Sequence, residues 1–514
     1  MRRLILIAMA VAHPLTASAQ TTAVKRAAGT ITEAEIRARI EMIAHDSMGG
    51  RDTPSPGLEK TAEWMAREFK RLGLKSGGDN GGYLQRFPIH VSTVDPDSAF
   101  VLFSGPNGEK IHLGIVPDLV VQGSIGNQLA EAGVVLVGGP IDPTQLGTFD
   151  LKGQVVIWIA DWSTGIASGV QAAVAALMSR EPRAVMAVIN SDSVFAAIGG
   201  GGSTGGPEVE YGAPVPPGPA TAAPFLALVA ESRLLRDAAE VGPTFAQLRA
   251  SAAMAVVPVA DWRATMIHKR ATPVPMTLPN TVAILEGSDP TLRNQYLVFS
   301  AHMDHVGSRC GGATPADQIC NGADDDASGT VGVVELAEAF AEPGARPKRS
   351  LIFLGVSGEE RGLWGSEYFG ANPPVDIKAI VANLNMDMIG RNWKDTIVAI
   401  GKVHSDLGAT ADRVAAAHPD LGMTVVDDLW PQENLYFRSD HYNFAKRGVP
   451  ILFFTSGLHG DYHAVTDSPE KIDAEKEARV LRLVFHIGQE IGNRPERPKW
   501  KPESYRRIVE AVPE

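Results

Sequence analysis

Histidines and carboxylates recur in this chain at the ends of short apolar runs. His302 and Asp304 follow Val298-Phe299, and Asp324-Asp325-Asp326 lies between Gly322 and Gly329. Glu359-Glu360 follows Val356-Ser357-Gly358, and Asp387 follows Leu384-Asn385-Met386. A fifth turn, Asp461-Tyr462-His463, comes after Ile451-Leu452-Phe453-Phe454. Two histidines with at least three carboxylates suit a borderline-hard divalent cation, zinc above all.

The elements that must position these groups can be read from their surroundings. Apolar strand runs alternate with helical stretches, which predicts an α/β fold of three layers: a mixed, mainly parallel sheet with helices on both faces. In such a sheet, ligands bind in the crevice at the carboxyl ends of the strands. That geometry would gather His302, Asp325, Glu359, Glu360, Asp387 and His463, although they lie far apart in the chain. Any one of these acids could merely cap a helix; five turns of the same kind argue against that for the set. Residues two apart in an extended chain face the same side, so Asp304 can reach the rear nitrogen of His302. A solvated loop acid is the alternative. His305 reads as a helper or surface residue, and Asp326 as a shaper of its turn before a helix over 327–340.

The turns resemble the M28 zinc aminopeptidase-like family of co-catalytic metallopeptidases. The likeness covers about residues 30–110 and 276–492, and rests on AHMDHVG, NGADDDASG, GEERGLWGS, NMDMIG, RSDHYNFA and DYHAVTDSPEKID. The resemblance implies two Zn2+ per chain: His302 and Asp387 on one ion, Glu360 and His463 on the other, Asp325 between them. It makes Glu359 the general base and Asp440, with His441 in the SDH turn, a support of the site. Asp46-Ser47-Met48-Gly49-Gly50-Arg51 also looks like the family's opening loop. Independently of the family, three carboxylates and a hydroxide balance the four charges of two zinc ions. Tyr462 precedes His463, and its hydroxyl could stabilise an oxyanion.

The start of the chain reads as an export signal over residues 1–19. Arg2 and Arg3 precede the apolar run Leu4–Val11, and Ala17-Ser18-Ala19 offers a small-residue cleavage site. The run is too short to span a bilayer, so a periplasmic or secreted protein without a membrane anchor is expected. In that setting Cys310 and Cys320, the only cysteines, favour a disulfide stapling the loop between His302 and Asp325. A formal charge of −12 argues against nucleic acid or an anionic membrane as partner.

The rest divides by composition. Residues 20–111 form the N-terminal part of the peptidase domain, with Thr32 and Glu35 as a capping box and Ile36, Ile40 and Ile43 as a helix stripe. A second stripe runs through Leu58, Ala62, Met65, Phe69 and Leu72. Residues 112–272, rich in Val, Ala, Gly and Pro with few possible ligands, form an insert with strands over 134–137, 155–159 and 185–189 and helices over 171–178 and 232–239. The insert resembles a β-rich protease-associated (PA) domain, especially at Asp150-Leu151-Lys152-Gly153-Gln154-Val155-Val156. Residues 273–492 complete the catalytic domain, and 493–514 read as a surface extension. Gly201-Gly202-Ser203-Thr204-Gly205 fits the G-x-S-x-G pattern, but a glycine run ending at Pro207 is not the strand-to-helix turn a nucleophile needs. No H-E-x-x-H occurs.

The expected protein is an exported di-zinc exopeptidase, an aminopeptidase acting on short peptides. Two alternatives stay open: a single-zinc glutaminyl-cyclase-like acyltransferase and a carboxypeptidase of the same family. Trp430, Tyr436 and Phe437 could line a substrate pocket or simply pack in the core.

Overall fold

The computed structural model describes residues 22–511 except 94, 96–98, 115–117, 123–127, 163–169, 196–207, 213–224, 237–241, 268–270 and 315. The expected export signal, Ser203 and the glycine- and proline-rich loops of the insert therefore lie outside the described residues. The chain divides into two compact units, Met1–Phe87 with Thr277–Glu514, and Pro88–Met276. No described helix is long and apolar enough to cross a membrane.

Among the described residues, the sheet centred on the first unit has ten strands, of which eight matter here: β1 (Leu84–Ser92), β2 (Val274–Leu285), β3 (Tyr296–His302), β4 (Ser350–Val356), β5 (Ile380–Met386), β6 (Thr396–Ile400), β7 (Thr424–Val426) and β8 (Ile451–Thr455). Their order is β7-β6-β8-β5-β3-β4-β2-β1. The four central strands, β8, β5, β3 and β4, are mutually parallel. They are buried almost throughout, because helices cover both faces, and this is why they read as continuous apolar runs. β2 closes one side antiparallel to β4, and β6 joins the other antiparallel to β8.

The covering helices are α1 (Glu33–Ile43), α2 (Pro56–Arg71), α3 (Gly329–Ala341), α4 (Trp364–Ala371), α5 (Leu407–Ala417) and α6 (Ala474–Asn493). Thr32 caps α1 by accepting from Glu35 N, and Ser55 caps α2 ahead of Pro56 by accepting from Leu58 N. Both predicted stripes are buried as far as Phe69; Leu72 forms the C-cap of α2 instead. α3 packs on β3, β4 and β5 and against α1, α2 and α6. Phe340 of α3 meets Phe485 of α6 at 4.5 Å and Phe299 of β3 at 5.4 Å, and Phe299 stacks on Phe353 at 5.6 Å. The alternate residues Val298, Ile352 and Leu354 face the other layer, with Phe369 and Phe444. α3 begins two residues later than expected because Ala323–Ser328 forms a distinct turn ahead of it.

Among the described residues, the second unit holds an eight-stranded sheet. Its central strands Gln128–Gly138, Val155–Ile159, Ala184–Ile189 and Phe225–Ala230 are parallel. The unit is wider than the compositional segment 112–272, because Phe100–Ser104 pairs with Ala255–Ile267 in the register Phe103↔Ala264. The expected helix over 232–239 is described only as one turn, Glu231–Leu234. In the first unit, the tail past residue 493 is more firmly packed than its prolines suggest. Ile508 is buried, and the Trp500 indole donates to Gly448 O at 2.9 Å.

One buried cation ties the opening loop to the strand ends. Arg51 is 1% exposed, and its guanidinium donates to Ile43 O, Met303 O, Asn321 O and Gly322 O at 2.7–2.9 Å. Met303 directly follows His302, and Gly322 opens the turn that carries Asp325. Losing the donors leaves four buried carbonyls, each costing about 1–3 kcal/mol. Arg51→Met is therefore expected to lower the unfolding free energy of this unit by at least about 3 kcal/mol, with Arg51→Lys recovering only part, since an ammonium has fewer and differently aimed donors. Urea unfolding checks this; a loss below about 1 kcal/mol contradicts the role.

Candidate metal centre

The carboxyl ends of the four parallel strands deliver the chemistry. β3 ends on His302, and β5 ends one residue before Asp387. β4 is followed by Gly358, whose left-handed backbone (φ 78°) turns the chain into Glu359 and Glu360. The chain after β8 carries Tyr462 and His463. All six residues expected to meet do converge. His302 Nε2 lies 3.2 Å from Asp325 Oδ1 and 3.7 Å from Asp387 Oδ1. His463 Nε2 lies 3.1 Å from both Asp325 Oδ2 and Glu360 Oε2. Asp325 thus gives one oxygen to each group.

A seventh residue, left aside on sequence grounds, is part of the arrangement. His305 is fully buried, with Nδ1 2.9 Å from Glu360 Oε1 and 3.6 Å from Asp325 Oδ2. The donor atoms of His305, Asp325, Glu360 and His463 all lie within 4.8 Å of one another, as do those of His302, Asp325 and Asp387. Beyond AHMDHVG itself, no signal in the sequence told His305 from a loop histidine.

The donors are held by a second layer. Asp304 does reach the rear of His302, but its backbone carbonyl is the nearer partner of Nδ1, at 3.1 Å, with the carboxylate at 3.7 Å. That carboxylate accepts instead from Thr53 Oγ1 at 2.7 Å and Glu359 N at 3.2 Å. Asp326 shapes its turn, accepting from the backbone of His302, Gly329 and Met388. Asp387 is fixed by a directional chain inside the sheet: Asn383 donates to Ser300, Ser300 to Asn385, Asn385 to Ser439, and Ser439 to Asp387 Oδ2. Asp467 accepts from the backbone of Asp324 and Asp325. Asp440 is buried beside this group, and burial raises its pKa to about 7. Cys310 and Cys320 are joined, with Cα atoms 6.1 Å apart. The stapled loop also holds His463, whose carbonyl accepts from Gly311 N at 2.8 Å.

Electrostatics fit cations at this place. Burial favours a neutral His463, yet hydrogen bonds to Asp325 and Glu360 outweigh it and raise the ring to about 10. Burial acts likewise on His302 and is overcome by Asp326 and Glu359. Glu359 is raised well above the carboxylate range by burial, against the pull of His302 and with Glu360 adding to it. A buried set of acids that forces protons onto His302 and His463 suits positive ions, and the donors are the oxygen and imidazole ligands zinc takes. Beside them is a small cleft of about 50 Å³ lined by His302, Asp325, Glu359, Asp387, Tyr462, Met388, Phe453 and Leu458 among others. Tyr462 stacks on His463 at 3.9 Å. Leu435 and Tyr436 are buried, so Tyr436 is core, whereas Phe437 is 48% exposed.

Comparison with known proteins places this geometry. The pattern of peptidase family M28 matches residues 280–488, which contain every donor named above. A probable zinc metalloprotease of Pyrenophora tritici-repentis is 34% identical over 157 residues, 29% of this chain and 31% of that protein. The chain spans less than a third of the length of the curated relatives first in similarity. Among solved structures, a zinc aminopeptidase from Bacillus subtilis aligns over 91% of this chain and 96% of its own at a TM-score of 0.53 and 16% identity. An aminopeptidase from Aneurinibacillus sp. strain AM-1 aligns over 93% and 98% at 0.51 and 18%. Those two likenesses concern the fold, which agrees with the layered α/β architecture expected from the sequence. The likeness to peptidase family M28 thus lies in residues 280–488, the stretch that holds the whole donor set.

Proposed function

We propose that the protein is an exported di-zinc aminopeptidase that removes N-terminal residues from short peptides. The observation that carries the reading is the division of Asp325, one oxygen toward His302 and Asp387 and the other toward His463 and Glu360. Two zinc ions bound there would supply Lewis acidity and a water made nucleophilic at neutral pH. His302 and Asp387 would hold one, Glu360 and His463 the other, with Asp325 between them.

Glu359 takes the proton of the attacking water and returns it to the leaving amine. Its carboxyl is buried and proton-hungry, and its backbone is fixed by Asp304. Burial and the neighbouring acids push the Tyr462 hydroxyl far above its ordinary pKa, so it stays protonated and able to donate to the developing oxyanion. Met388, Phe453 and Leu458 offer an apolar wall for the terminal side chain. The second half-site, His302 with Asp387, is what a single-zinc cyclase has no need of. Export is supported by the leader pattern of residues 1–19 and by the cystine.

The substrate class is tested by comparing free with N-acetylated peptides, each with a free or amidated carboxyl end. Hydrolysis should require the free amine, ignore amidation, stop with a chelator and return with zinc. A requirement for the free carboxylate would make the protein a carboxypeptidase. Purified protein should carry two zinc ions per chain, and one in fully active protein favours the cyclase.

The adjacent acids separate by mutation. Glu360 has both oxygens committed to histidines, whereas Glu359 lines the cleft. Glu359→Gln should retain both metals and lose roughly 10²–10⁴-fold in rate, the usual share of a general base. Glu360→Gln should lose zinc along with activity. The opposite pattern of zinc content reverses the two roles.

A further inference from the structure

The two metal positions are not equivalent in their protein donors. His302, Asp325 and Asp387 make a group of three, whereas Asp325, Glu360 and His463 are joined by His305. We infer that His305 is a fourth protein donor to the second position, which makes it a closed, tight site while the first stays open to substrate. This rests on the two-metal reading above.

Geometry carries the inference. Ligands of a tetrahedral zinc at about 2.0–2.1 Å lie roughly 3.3 Å from one another. Around the second position the separations are 2.9 Å (His305 Nδ1 to Glu360 Oε1), 3.1 Å (His463 Nε2 to Glu360 Oε2), 3.1 Å (His463 Nε2 to Asp325 Oδ2) and 3.6 Å (His305 Nδ1 to Asp325 Oδ2), the two imidazoles meeting different oxygens of Glu360, and a donor atom from each of the four residues lies within 4.8 Å of the others. The two imidazoles meet edge to face, with centroids 5.5 Å apart.

The rest of the His305 ring has no polar task. Nε2 is buried and has no hydrogen-bond partner, so among polar groups only those at Nδ1 orient the ring. The backbone is built around it: His305 N donates to Arg51 O at 3.1 Å. Gly322, in the left-handed region at φ 57°, packs on the ring so closely that a Cβ there would sit 2.5 Å from His305 Cγ and Cδ2. The turn that presents Asp325 is therefore moulded on this histidine.

Donor number rather than exposure separates the two positions: the His463 side chain is 34% exposed against 1% for His302, although the cleft itself is lined by His302, Asp325 and Asp387. Zinc sites closed by four protein ligands are structural in character, while those with three keep a position for water or substrate. The position containing His305 should accordingly fill first and release its ion last.

The competing account is that His305 only donates Nδ1–H to Glu360. Asparagine can place an N–H near the position of Nδ1, so His305→Asn separates the two, with His305→Phe removing both functions. Metal-free full-length protein is titrated with zinc against a chromogenic chelator. Wild type should bind two ions with clearly unequal affinities. Both variants should lose more than about 100-fold at the tight site, beyond the 10–100-fold that loss of an outer partner costs, and little at the weak one. If His305→Asn keeps the wild-type affinities, the ring is a hydrogen-bond donor and the inference is overturned. Zinc X-ray absorption on wild type loaded with one equivalent needs no variant: two imidazoles are expected, and one refutes the assignment. A wild type that binds no zinc at all overturns instead the metalloenzyme reading on which it rests.

Discussion

Like charges held close together out of water are the constraint on which this structure turns. Asp325, Asp326, Glu359, Glu360, Asp387 and Asp440 converge on the ends of four parallel strands, where burial weakens screening and strengthens every Coulomb term. The protein meets that cost in three ways. Backbone N–H groups point at Asp326, Asp467 and Asp304; the guanidinium of Arg51 adds a fixed positive charge; and the histidines complete a donor set that divalent cations satisfy.

Positioning is separated from chemistry. Strand register brings His302, Glu359 and Asp387 to one edge, since β3 lies between β4 and β5. Side-chain direction is then set by groups outside the donor set: the hydrogen-bond chain from Asn383 to Asp387, the Asp304 carbonyl behind His302, and the stapled loop that holds His463 by its carbonyl. Orientation from behind is what keeps a ligand in one rotamer and tautomer. Such groups are as much a part of the site as the donors.

This explains what could be read in the sequence. Capping box, helix stripes and strand runs obey local rules, and the structure follows them at Thr32, Ile36, Met65 and Val155–Ile159. The donors were legible because each sits in a compact motif, His302, Glu360 and Asp387 at or just past a strand end and Asp325 and His463 in turns further on. His305 was not, because a histidine in a loop has no periodicity to betray its burial. Ser300, Asn383 and Asn385 did leave a signal, as polar residues inside buried strand runs, but their chain forms only through pairing of distant strands. The insert's edges were misjudged for the same reason: composition changes near residue 112, while the pairing Phe103↔Ala264 reaches outside it.

Asp325 is the single residue common to both groups, and this couples them. Its turn is pinned from below by Asp467, ahead by Arg51 at Gly322 and laterally by the ring of His305. A shift of that turn moves one carboxylate oxygen with respect to His302 and the other with respect to His463 at once. The two positions therefore cannot be tuned independently through the turn; they can be tuned only through what each holds alone. On one side that is Asp387, at the end of a polar chain that runs through the sheet. On the other it is Glu360 between two imidazoles. The inequality inferred for the two donor groups would rest on this division, since each group differs from the other only in what it holds apart from Asp325.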